Sequence, residues 1–148
     1  MTGVPPAHQP DSLPMLGGCQ CGNIRYQVWD APETVYVCHC SECRRQSAAA
    51  FGISVIVRSE TVRLVQGRPT NWTRRTVDGG SMACWFCPDC GTRLWHIAER
   101  DPDFRSIKGG SLDAPPNLST VPHIHTDSKL AGVTIPEGVP SFPGEPPR

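Results

Sequence analysis

A chain of 148 residues, 38% apolar and 19% charged, is long enough to bury one core and short for two domains. Fourteen basic residues balance fourteen acidic ones, which argues against global attraction to nucleic acid or an anionic membrane. No apolar run nears the ~18 residues of a membrane span. The basic residues are lopsided: apart from Lys108 and Lys129 all are arginine, the side chain suited to bidentate grip on small anions.

In chain order, residues 1–15 read as a flexible arm, with Pro5, Pro6, Pro10 and Pro14 and no apolar export signal. That absence predicts a cytoplasmic protein. Asn23 to Trp29 alternates, placing Ile24, Tyr26 and Val28 on one strand face. Thr34 to Cys38 and the β-branched run Phe51 to Val57 are further strands. The stretch between them, around Ser41 to Ala50, is the one plausible helix. Strands are then predicted over Thr61 to Val65, Thr70 to Val77, Arg93 to Ile97, Phe104 to Ile107 and Val121 to Ile124. Turns fall at Asp78-Gly79-Gly80, Gly109-Gly110 and Ala114-Pro115-Pro116. From Pro136 to Arg148 the chain holds five of its sixteen prolines and reads as an extended tail. The expected class is all-β with few or no helices, as one domain over residues 16–135.

Seven of the eight cysteines form two groups. Cys19 and Cys21 are two apart, so a strand would present both thiols to one face. Cys87-Pro88-Asp89-Cys90-Gly91 reads as a knuckle, with Gly91 where a left-handed residue is needed. Together they offer four thiolates, a closed zinc shell of the structural kind. Cys38, Cys40 and Cys43 offer three, leaving one position of a second zinc for water or substrate. A thiol reaching that position would lose its proton and become a nucleophile. Close spacing without an export signal favours metal over disulfides; iron–sulfur remains chemically open for four thiolates. Cys84 stands apart. It could cap the triplet, and it forms its own C-x-x-C with Cys87, so it competes with Cys90 on spacing alone. His39, His96, His123 and His125 are the other possible donors, although His39 should face away from Cys38 and Cys40. Arg44 and Arg45 follow the triplet and are candidate clamps for substrate carboxylates.

The order Gly18-Cys-x-Cys-Gly22, then Cys38-His-Cys-Ser-x-Cys-Arg-Arg45, then Phe86-Cys-x-x-Cys-Gly-Thr92 resembles the glutathione-dependent formaldehyde-activating enzyme family, which includes centromere protein V. Ile24-Arg25-Tyr26, Gly110-Ser-Leu-Asp113, Pro122-His123-Ile124 and Gly138-Val-Pro-Ser-Phe142 extend the likeness. The resemblance implies coiled β-sheets of the β-tent type. It implies structural zinc on Cys19, Cys21, Cys87 and Cys90, and an open zinc on Cys38, Cys40 and Cys43. It also implies a carbon–sulfur lyase-type reaction that joins glutathione, as co-substrate, to formaldehyde. The alternative is a non-catalytic zinc module in which both metals are structural and the β surface binds a protein partner.

Overall fold

The computed structural model describes residues 10–147, so most of the expected arm lies outside the described residues. Ten strands form two sheets, neither closed. The smaller pairs β1 (Met15–Gly18) with β2 (Arg25–Val28) and β2 with β5 (Val62–Gln66), all antiparallel. The larger has seven strands. Its order is β10 (His123–Ile124), β3 (Thr34–Cys38), β4 (Gly52–Arg58), β9 (Phe104–Lys108), β8 (Arg93–Ala98), β7 (Ser81–Phe86) and β6 (Thr70–Arg75). Only β10 runs parallel to its neighbour. One α-helix, α1 (Ser41–Ser47), lies between β3 and β4 where the sequence suggests it.

Strand register sorts the large sheet into two faces, because successive side chains point to opposite sides. One row crosses it as Val35, Val55, Ile107, Trp95 and Trp85, each opposite the next. This apolar row packs against Tyr26 and Val28 of β2 and Ile24 just before it, the face expected from alternation. Tyr26 meets Trp95 edge-on, ring centres 5.5 Å apart, a geometry that contributes about 0.5–1.5 kcal/mol beyond area burial. The opposite face is polar. Tyr36, Ser54 and Lys108 lie in one row, and Ser106, His96 and Cys84 in the next. A sheet with one greasy and one polar face does not need to cover both with core.

The close fit of the small sheet onto the large one depends on a glycine. Tyr26 Oη shares a 2.6 Å hydrogen bond with Ser111 Oγ across the buried seam. A Cβ on Gly17 would sit 2.4 Å from the Tyr26 ring and hydroxyl. Any side chain there would push the tyrosine out.

Two strands depart from the sequence reading. β1 begins at Met15, which is buried, and runs into Gly17-Gly18, residues usually depleted in strands. β7 was not expected, because Ser-Met-Ala-Cys-Trp-Phe carries no β-branched residue; pairing on both edges, with β6 and β8, holds it extended. The proline-rich C-terminal segment is attached to the body of the fold along β10. His123 N–H donates to Pro140, Phe142 N–H to His123 and His125 N–H to Gly144. Among the described residues no helix is long and apolar enough to cross a membrane.

Candidate metal centres and the cavity they border

All eight cysteines are free thiols, and seven converge as two groups. The sulfurs of Cys19, Cys21, Cys87 and Cys90 lie within 4.8 Å of one another. Cys19 and Cys21 are 3.5 Å apart and Cys21 and Cys87 are 3.8 Å apart. Tetrahedral zinc with Zn–S of ~2.3 Å needs sulfurs about 3.8 Å apart, so the donor set fits that ion. Local structure explains the convergence. Cys19 and Cys21 sit in the turn between β1 and β2, closed by the Gly22 N–H donating to Cys19 O. Cys87 and Cys90 sit in the turn between β7 and β8, where Gly91 N–H donates to Cys87 O. Gly91 has φ +80°, the left-handed conformation that its place in the knuckle demands. The two turns are also tied by Asn23 Nδ2 donating to Asp89 and by Gln20 N–H donating to Thr92 Oγ1. Cys90 is held down to about 5 by its hydrogen bonds with Thr92, first the hydroxyl and then the backbone. A thiolate is therefore favoured before any cation arrives.

The second group is Cys38, Cys40 and Cys43, whose sulfurs also lie within 4.8 Å of one another. Cys38 ends β3. Cys40 is the N-cap of α1, its sulfur accepting from Cys43 N–H at 3.4 Å. Helix capping thus brings Cys43, three residues on, back onto the same point. Cys38 is pushed far up, first by its hydrogen bond to Cys40 and then to Cys43; Cys40 is held far below its usual value, first by Cys38 and then by Cys43.

Among the described residues no fourth donor joins this triplet. Cys84 is fully buried on the polar face of β7, and it does not replace Cys90 in the first group. His39 faces away from its flanking cysteines, as expected. It stacks on buried His123, with Nε2 of the one 2.8 Å from Nδ1 of the other. Together with His39 N–H donating to Ile124 O, that pair locks β10 beside the triplet.

A cavity of about 670 Å³ borders both groups, touching Cys43 at one wall and Cys90 and Gly91 at another. Its floor is the polar sheet face, and α1 forms a side. Arg45 lines it; Arg44 does not, and Arg44 Nε is buried without a partner. Sequence reasoning passed over Arg74, Arg93 and Lys108 and weighed His96 only as a metal donor; all four also line it. They come from three strands, so no local motif announces them; the signal was polar residues recurring on one face of strands whose other face is core.

His96 is pushed down to about 2 by burial, and then by Lys108, Arg74 and Arg93. Its ordinary value is 6.5, so between those limits the unfolded chain binds the extra proton. The stabilisation is complete above 6.5 and is lost as pH falls toward 2, at up to about 1.4 kcal/mol per pH unit. His96→Gln should therefore lose less stability than wild type between pH 7.5 and 5.5 in urea titrations. Equal losses would remove His96 from the acid response.

Sequence comparison places this geometry. The model for "Glutathione-dependent formaldehyde-activating enzyme" matches residues 14–128, which contain both cysteine groups and every strand. The chain belongs to this family. A crystal structure of a Rhodobacter sphaeroides protein shares the fold, with TM-score 0.52 and 22% identity over 86% of this chain and 99% of that one. The family suggests glutathione-dependent formaldehyde activation, and the two cysteine groups fit zinc binding.

Proposed function

We propose that residues 16–135 form a zinc-dependent catalytic domain that adds a thiol, glutathione, to a small aldehyde such as formaldehyde, or releases it. Cys19, Cys21, Cys87 and Cys90 hold a structural ion. Cys38, Cys40 and Cys43 hold the second, whose remaining position takes the substrate sulfur. The observation that carries this reading is the contrast in donors: four sulfurs converge in one group and three in the other, and the group of three opens on a cavity.

Zinc held by three thiolates would strip the proton from a fourth, incoming thiol. The chain's own residues then do the rest. Cys40 and its two neighbours fix the point where sulfur must bind. Arg45, on the cavity wall, offers a guanidinium to a substrate carboxylate. Carbon–sulfur bond formation moves the carbonyl pair onto oxygen, which takes up the proton that the thiol gave away. The product is a hydroxymethyl thioether, with no change in total oxidation state.

Metal content and glutathione titration test this directly. Purified protein should carry two zincs, and glutathione should bind with release of about one proton per site. Two tightly held zincs with no thiol binding would favour the non-catalytic module, with both metals structural.

A further inference from the structure

The cavity lining is electrically one-sided. Arg45, Arg74, Arg93 and Lys108 face a single carboxylate, Glu42. Glu42 reaches Arg74 Nε only at 3.8 Å, beyond hydrogen-bond range. Arg74 Nε, Arg93 Nη1, His96 Nε2 and Gln46 Oε1 are buried without any partner, and all four side chains line the cavity. A buried donor atom without a hydrogen bond is costly, although both arginines are only half-buried and Arg74 also meets Glu42 and donates from Nη1 to the Arg75 carbonyl at 3.4 Å. Two of these groups are nonetheless held in place. Arg93 lies over the Phe86 ring, 4.8 Å from its centre, and an Arg74 Nη packs 3.6 Å from Met82 Sδ. Fixed arginines on separate strands, in a cavity where four cationic side chains meet one carboxylate, form a site suited to anions.

We infer that Arg74 and Arg93 form a carboxylate-binding subsite of this cavity, with the buried Nε2 of His96 beside them as a hydrogen-bonding edge. The subsite selects a thiol carrying two carboxylates over neutral or singly charged thiols. Specificity then resides in β6 and β8, outside the cysteine motifs, and the sulfur end is left to the triplet. The identity of the ligand as a thiol rests on the function proposed above; the anion subsite does not.

The two can be separated by calorimetry on the full chain with two probes. S-methylglutathione keeps both carboxylates but has no thiol to ionise. Glutathione diethyl ester keeps the thiol but no carboxylate. Wild type should bind S-methylglutathione, more weakly as salt rises between about 0.1 and 1 M. Arg74→Gln and Arg93→Gln should each weaken that binding by about 10- to 100-fold. Arg93→Lys should recover part of the loss, since it restores charge but not the planar fork. Melting temperatures recorded alongside identify any variant that fails to fold. No binding of S-methylglutathione by wild type overturns the subsite. So does wild-type affinity in folded Gln variants, or diethyl ester binding as tight as glutathione itself. If S-methylglutathione binds through the arginines but glutathione binds no tighter and releases no proton, the subsite stands and thiol activation falls.

Discussion

Cys87→Ser is expected to unfold the domain. Cys87 is fully buried, and its sulfur lies 3.8 Å from Cys21, 66 residues earlier. Its backbone is engaged as well, donating to Thr92 O and accepting from Gly91 N–H. The cluster therefore ties the β1–β2 turn of the small sheet to the β7–β8 turn of the large one. Serine keeps the shape of the turn but does not ionise at neutral pH, so the shell loses a ligand and a hydroxyl is buried in its place. Structural zinc contributes on the order of 10 kcal/mol in small domains. Whole-domain stability is only about 5–15 kcal/mol. Losing even half of that contribution removes most of the margin. Far-UV circular dichroism and zinc content measured together check it. Loss of one zinc with a wild-type melting curve would show that the four-sulfur group is not what joins the sheets.

The contrast between what the sequence disclosed and what it hid follows from the range of the interactions. Ile24, Tyr26 and Val28 were legible as a core face because alternation is a local pattern, and the structure buries all three. The cysteine groups were legible because metal ligands need tight spacing within each arm, and only their pairing is long-range. β7 was hidden because its first four residues, Ser-Met-Ala-Cys, include no β-branched or aromatic side chain. They are extended because β6 and β8 supply hydrogen bonds on both sides. The cavity was hidden for a related reason. Arg74, Arg93, His96 and Lys108 lie up to 34 residues apart in sequence and meet only because antiparallel register places them on the same side of one sheet. Arg45 could be picked out from its place beside Cys43, whereas its companions required the fold.

Cys40→Ser should have the opposite outcome to the substitution at Cys87: a folded protein that no longer captures thiols. Cys40 is partly exposed and contributes nothing to the apolar core. Its structural duty is to cap α1, with φ −64°, ψ 158° and its sulfur accepting from Cys43 N–H. Serine is among the best N-cap residues and takes over that hydrogen bond; alanine would forfeit about 0.5–2 kcal/mol. Hence Cys40→Ser should melt within a few degrees of wild type, and Cys40→Ala should melt lower. What serine cannot replace is the charge. Cys40 is the member of the triplet whose thiol is held far below its usual value, first by its contact with Cys38 and then by Cys43. Without it the remaining pair offers only two sulfurs to an ion. Glutathione binding should weaken by about 100-fold or more, and zinc content should fall from two to one. The two properties must separate for the proposed division of labour to hold. If the serine variant unfolds, the triplet is a second structural centre, and the cavity beside it needs another explanation. If it folds and still binds glutathione as wild type does, the sulfur is received elsewhere. Either result would be read from the same pair of measurements, a melting curve and a thiol titration, on one variant that leaves the helix cap intact.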